Sequence, residues 1–72
     1  HAVKVLLKFK LLEVQRQRLA DFNRWAMATP YFSQIKARFF EPIPLETWLA
    51  QLCAELLSAG LARQEGPDLV NA

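Results

Sequence analysis

Cysteine, histidine and glycine are scarce in this sequence, and their scarcity excludes several kinds of site. One cysteine and one histidine among 72 residues cannot form an internal disulfide or supply the four nitrogen and sulfur ligands of a structural zinc site. The two glycines do not form a glycine-rich loop of the kind that cradles a phosphate. We therefore expect no metal ion and no cofactor in this chain.

Pairs of residues that carry catalysis are also missing. A cysteine–histidine nucleophile pair would need Cys53 and the terminal His1, but Cys53 falls within an apolar helical stripe, where an inert buried thiol is expected. Glu46 and Glu55 fall on the polar face of the same helix, which is typical of solvated carboxylates. So short a chain also has little room to enclose a pocket. The sequence therefore indicates a protein that is not an enzyme and has no small-molecule substrate.

Long uncharged apolar runs are absent as well. No stretch reaches the roughly 18 apolar residues of a membrane span. A cationic membrane anchor formed by residues 3–12 is the weakest alternative, since Lys10 falls well away from the helical face that Lys4 and Lys8 share. The unpaired cysteine favours a reducing compartment, so we expect a cytoplasmic protein.

Hydrophobic residues, by contrast, are abundant. They make up 53% of the chain and include two tryptophans and five phenylalanines. A domain of this size gains stability by dense packing or by burial against a partner. We expect a single small helical domain over residues 1–72, and we interpret the start at His1 rather than at methionine as that of a fragment of a larger protein.

Charge is distributed unevenly along the chain. Eight basic and two acidic residues give residues 1–38 a net charge of +6, whereas one basic and five acidic residues give residues 39–72 a net charge of −4. This asymmetry predicts either an anion-binding face in the first half or attraction between the two halves, within one fold or between copies.

Helical periodicity is clearest near the C-terminal end. Residues 44–59 carry apolar side chains at i, i+3, i+4 and i+7 spacing, with Pro44 in the first turn and Gly60 just past the end. A short helix of about ten residues is predicted to begin at Pro30, and residues 11–28 are predicted to form most of a first helix.

The opening residues fit two structures. Residues 3–10 either extend the first helix or, if a hairpin forms after Gly60, pair with it as an edge strand. We favour the helix, because no glycine or proline interrupts the chain between Val3 and Thr29. The predicted fold class is all-α: a small three-helix bundle with a long N-terminal helix, a short helix and an amphipathic third helix.

Residues 29–72 resemble a winged-helix domain in outline. They contain a short helix, a turn, a longer helix ending in "ELLSAGLARQ" and a possible two-stranded wing, so the bundle can be winged-helix-like with a short C-terminal β-hairpin. The resemblance implies nucleic-acid binding. However, the exposed face of the third helix offers glutamates and no basic residue, and carboxylates are repelled by a phosphate backbone. The candidate nucleic-acid-binding residues therefore lie on the first two helices: Arg16, Arg18, Arg24, Lys36 and Arg38.

The function that these patterns favour is a non-catalytic protein–protein interaction module, such as a docking, adaptor or oligomerisation domain. Its partner is expected to be another protein chain or a second copy, with a winged-helix nucleic-acid-binding domain as the alternative. On the long-helix interpretation, Leu6, Leu7 and Phe9 extend beyond helices too short to cover them. Phe40 cannot easily share an inward face with its neighbour Phe39. We predict that Leu6, Leu7, Phe9 and Phe40 bind the partner.

Overall fold

The chain folds into helices and a small β-sheet. The computed structural model describes residues 2–38 and 42–72. The elements in chain order are α1 (Ala2–Val14), β1 (Arg16–Arg18), α2 (Leu19–Ala28), α3 (Pro30–Arg38), α4 (Leu45–Ser58), β2 (Ala62–Glu65) and β3 (Asp68–Asn71). Within the described ranges the fold is thus mixed, with four helices and three strands.

A left-handed residue ends α1 and turns the chain into β1. Gln15 has a φ of 65°, and its backbone N–H donates to the Leu11 carbonyl oxygen at 2.7 Å. Its side-chain amide donates to the Leu12 carbonyl oxygen, also at 2.7 Å, and so satisfies one of the carbonyls that a helix end leaves without a partner. The Gln15 carbonyl oxygen then accepts the backbone N–H of Asn71 at 2.8 Å, which starts the pairing with β3.

The sheet is antiparallel, with the strand order β1–β3–β2. Its central strand, β3, lies between a strand from the N-terminal half and its own hairpin partner. A two-residue loop with Gly66 at a φ of 58° joins β2 to β3, and this positive φ is typical of the first loop residue in tight hairpins. The hairpin that the sequence suggested is therefore present.

The end of α4 positions β2. Gly60, at a φ of 73°, donates its N–H to the Leu57 carbonyl oxygen at 3.2 Å, and Leu61 donates to the Leu56 carbonyl oxygen at 3.0 Å. These two bonds form a Schellman motif, and glycine fits its left-handed position without strain. The predicted helix end at Gly60 is thus confirmed.

One apolar core lies where α1, α2 and α4 meet the inner face of the sheet. Its largest fully buried side chains come from all of these elements and from α3. The core residues are Val3, Leu7, Leu11, Phe22, Ala26, Phe32, Leu49, Leu52, Cys53, Leu56, Ala62 and Leu69. Trp25 packs beside this core, with its ring centroid 5.6 Å from those of Phe22 and Phe32.

The predicted all-α three-helix bundle is wrong. The helix expected to run without a break to residue 28 is divided at Gln15 by β1, so the molecule has a three-stranded sheet and four helices in its described residues. Glycine and proline were the expected break signals, but here a glutamine adopts the left-handed conformation and the pairing of β1 with β3 stabilises it. Residues 3–10 are helical, as predicted, and the strand that joins the hairpin is formed by residues 16–18 instead.

Candidate protein-interaction surface

Helix α1 is apolar on two opposite faces, and only one of them faces the core. Val3, Leu7 and Leu11 are at most 2% exposed and pack into the core. Four apolar residues point away from the core; we call them the α1 outer face: Ala2, Val5, Phe9 and Leu12. A soluble surface helix normally carries polar residues on its solvent side. The α1 outer face departs from that pattern.

The exposure of this face is substantial. Phe9 is 61% exposed, Val5 is 50% exposed and Leu12 is 45% exposed. Leu61, in the turn after α4, is 40% exposed, and it lines a shallow groove with Val5 and Phe9. The groove has a volume of about 310 Å³, and the side chains of Lys4 and Lys8 line it as well. A contiguous apolar surface of this kind is typical of a protein-binding site.

The lysine side chains beside the groove are held by the domain itself. Lys4 forms an ion pair with Glu55 of α4 at 2.9 Å. The ammonium of Lys8 donates three hydrogen bonds: to the Asn71 Oδ1 at 2.5 Å, to the Leu61 carbonyl oxygen at 2.6 Å and to the Ala72 carbonyl oxygen at 2.8 Å. Lys8 therefore ties α1 to both ends of the hairpin and fixes that wall of the groove.

The predicted partner-binding residues are distributed between the core and the surface. Phe9 lies on the α1 outer face. Leu7 is fully buried, so its side chain is not available to a partner, and Leu6 is half-buried against the core. Phe40 lies outside the residues that the structure describes.

Three large apolar residues of the surface, Val5, Leu12 and Leu61, were not among the predicted site residues. Val5 and Leu12 recur at seven-residue intervals with Leu19 and Ala26, so a single long helix would place all four on one side and would not single out Val5 and Leu12. The spacing of three and four residues between Val5, Phe9 and Leu12 was the signal available in the sequence. Leu61 comes to α1 only through tertiary folding.

The predicted nucleic-acid-binding residues occupy three different elements. Arg16 and Arg18 lie in β1, Arg24 in α2, and Lys36 and Arg38 in α3. Ion pairs hold the side chains of Arg16 and Arg24. Arg16 contacts Glu65 at 2.5 Å and Asp68 at 3.0 Å, and Arg24 contacts Asp21 at 3.1 Å.

The outward face of the sheet is where arginines come together. Residues directly opposite each other in antiparallel strands share a face, so Arg16 lies on the same face as Val70 and Arg63. Arg18 follows on that face, in register with Asp68 and, across β3, with Glu65. This face therefore carries three arginines and two carboxylates. Sequence analysis missed Arg63, because only the long-range pairing of β1 with β3 brings Arg16 and Arg18 to the hairpin that contains it.

These charges affect one another's ionisation. The pKa of Glu65 lies below its usual range, first because Arg63 donates a hydrogen bond to it and then because Arg16 does. Hydrogen bonds to Glu65 and Asp68 raise the pKa of Arg16. The predicted attraction between the two halves of the chain is thus present within the fold, in the Arg16 pairs and in the pair of Lys4 with Glu55.

Helix α4 presents a polar face without a basic residue. Glu46, Gln51 and Glu55 are exposed along it. On the opposite side Cys53 is buried and free, as predicted, and its thiol lies 3.7 Å from the Asn23 Oδ1. Burial raises the pKa of Cys53 to about 11, so the thiolate that reacts as a nucleophile is a minor species at neutral pH.

Among the described residues, none of the helices combines the length and the apolar character needed to cross a membrane. No protein-family model, no curated protein and no solved structure matches this chain.

Proposed function

We propose that this domain is a non-catalytic protein–protein interaction module that receives an α-helix of its partner along the α1 outer face. The observation that supports this proposal is the position of Val5, Phe9 and Leu12, which are 45 to 61% exposed on the side of α1 opposite the core. About half of each side chain is already covered, so a partner that buried the rest would gain roughly half of the 1.5–3 kcal/mol of full burial, on the order of 1 kcal/mol for each residue.

A helix is the partner element that fits this surface best. The apolar residues follow the α1 axis at helical spacing, and Leu61 forms one wall of the groove beside them. Amphipathic helices bind such grooves through apolar residues at i, i+3, i+4 and i+7. The unpaired thiol of Cys53 supports a reducing compartment, and we place the module in the cytoplasm.

Selection from a displayed library of amphipathic helical peptides tests the proposal. We expect selected peptides whose affinity falls at least about tenfold for the Phe9→Lys variant, because a lysine at this position puts a charge at the centre of the apolar contact. Met27→Lys is the matched control, since Met27 is 42% exposed on α2, away from the groove. Peptides that bind both variants equally well, or a selection without binders, would contradict the proposal.

Binding of a nucleic-acid duplex, which the winged-helix resemblance implies, is the second candidate function. The observation in its favour is the set of Arg16, Arg18 and Arg63 on the outward face of the sheet. Glu65 and Asp68 lie among these arginines, which weakens attraction to phosphates. Titration of a generic DNA duplex at low salt tests this function. Binding that weakens with added salt and with Arg18→Gln supports it, and no binding at low salt removes it.

A further inference from the structure

We infer that the helix received by the α1 outer face is α1 of a second copy of this chain, packed in parallel about a twofold axis. The inference rests on the proposed function and specifies its partner. It follows from the spacing of the outer face and from the charges along its two edges.

The spacing is that of a coiled-coil seam. The residues of the α1 outer face, Ala2, Val5, Phe9 and Leu12, follow one another at intervals of three, four and three. These are the intervals of heptad positions a and d, the positions that two helices pack together when they run side by side. The 13 residues of α1 span almost two heptads and are therefore about 20 Å long. Both apolar positions of each heptad are occupied.

The edges of this seam carry opposite charges. With Phe9 at position a, Lys8 occupies position g and Glu13 occupies position e. In a parallel pair, a g residue lies beside the e′ residue five positions further along the other helix. Lys8 of one copy then lies beside Glu13 of the other, and the twofold axis repeats this contact. Opposite charges at e and g set partner choice and helix orientation in coiled coils.

Lys8 contributes its positive charge to this contact and no further hydrogen bond, because all three N–H groups of its ammonium are donated within its own domain. The hydrogen bonds of Lys8 go to the carbonyl oxygens of Leu61 and Ala72 and to the Asn71 amide oxygen. The oxygens of Leu61 and Asn71 are neutral, and none of the three acceptors belongs to an aspartate or glutamate side chain. The Glu13 side chain is 71% exposed, and its contact with a lysine of its own helix is long, at 3.4 Å.

The antiparallel orientation is disfavoured by the same residues. An antiparallel pair brings g beside g′ and e beside e′, so Lys8 would face Lys8 of the other copy and Glu13 would face Leu6. Like charges would then meet on one edge, and a carboxylate would meet an apolar side chain on the other. The charges therefore select the parallel pair.

The length of the seam sets the strength expected of the pair. Two heptads bury less area than a standard protein interface, and small interfaces are weak. We expect a dissociation constant on the order of 100 µM, so the pair forms at high local concentration and dissociates on dilution. Sedimentation equilibrium over about 20 µM to 1 mM covers this range.

Three surface variants test the contact. Phe9→Lys is expected to raise the dissociation constant at least about tenfold. Glu13→Lys, which brings lysines together along both edges, is expected to raise it about threefold at low salt and less at high salt. Met27→Lys is expected to leave it unchanged. A wild-type chain that stays monomeric at about 1 mM, or dimers unaffected by Phe9→Lys, would overturn the inference.

Cysteine cross-linking tests the orientation. In the parallel pair, position 12 faces its own copy, so Leu12→Cys is expected to form a disulfide-linked dimer under mild oxidation, whereas Met27→Cys is not. Faster cross-linking between Ala2→Cys and Leu12→Cys chains in a mixture, an a position opposite a d position, would show the antiparallel pair and refute the parallel one. Cys53 is buried and does not compete.

The outcome separates this inference from the proposed function. If the chain is monomeric but still selects helical peptides whose binding depends on Phe9, the inference of a second copy is refuted and the proposed function stands. If the chain neither dimerises nor selects such peptides, both the inference and the proposed function are refuted.

Discussion

The ammonium of Lys8 is the contact whose removal we expect to be most costly among the exposed and half-buried polar groups of α1. Replacing Lys8 with methionine retains most of the aliphatic side chain and removes the charge together with all three hydrogen bonds. The matched change is Lys4→Met, one turn earlier in the same helix, which removes a single ion pair with Glu55.

The expected magnitudes follow from the acceptors. A hydrogen bond to a charged group contributes about 1.5–3 kcal/mol when it is shielded from water. The bond from Lys8 to Asn71 is partly buried, whereas water can reach the carbonyl oxygens of Leu61 and Ala72. We therefore count the first bond in full and the other two in part, and expect a loss of about 2 kcal/mol of unfolding free energy. The exposed pair removed by Lys4→Met contributes about 0.5 kcal/mol.

Urea unfolding followed by tryptophan fluorescence measures both losses, at a protein concentration low enough for the chain to be monomeric. For a slope of about 1 kcal/mol per molar urea, the midpoint of Lys8→Met falls by about 2 M and that of Lys4→Met by about 0.5 M. Midpoints that fall by equal amounts would refute the reasoning, because they would mean that the bonds from α1 to the ends of the hairpin add no stability beyond that of an exposed ion pair.

The remaining predictions concern the faces and the end of α1 and the charges on the sheet. Leu7→Ala is expected to lower the unfolding free energy by about 2–5 kcal/mol because it leaves a cavity in the core, whereas Phe9→Ala changes it by less than about 0.5 kcal/mol; equal losses in chemical unfolding would contradict the assignment of the two faces. Gln15→Gly relieves roughly 1–2 kcal/mol of left-handed strain, and the loss of the side-chain hydrogen bond partly offsets this gain. Gln15→Val adds strain, because a β-branched residue is disfavoured at positive φ. The glycine variant must therefore melt at a higher temperature than the valine variant. The Glu65 carboxyl, followed by NMR, is expected to titrate below the ordinary value of 4.5, and Arg63→Gln is expected to move its midpoint upward; an unchanged midpoint would refute the pairing. Because the pKa of Glu65 is lower in the folded state, its contribution to stability is present above the unfolded pKa and is lost as the pH falls through the folded pKa.

Local signals were sufficient for much of the C-terminal half. The apolar stripe of α4 has an uninterrupted helical period, and Gly60 provides the left-handed residue that a helix end favours. The sequence Gly66-Pro67-Asp68 is likewise a local turn signal, and Gly66 begins the hairpin loop. Each of these features is formed by residues close together in the sequence, so composition and spacing were enough to predict it.

The N-terminal half was harder to predict, because the strand β1 and the surface beside α1 both depend on residues distant in the sequence. Residues 16–18 contain only arginine and glutamine, which have no strong preference for a strand. They form β1 because they pair with the free edge of β3, some fifty positions later in the chain. The candidate surface was predictable only in part. Phe9 was identified, but Leu7 on the opposite face was assigned to the same surface and Leu61 was missed.

The sequence by itself determined both ends of α3 and α4 within a few residues, the hairpin turn and the burial of Cys53. Tertiary structure alone decided that the long apolar segment breaks at Gln15 and which side of α1 becomes its outer face. The physical reason is that α1 is apolar on two opposite faces, so its own pattern does not select which of them is buried. Packing against α4 and β3 makes that selection, and the apolar face left outside is the one available to a partner.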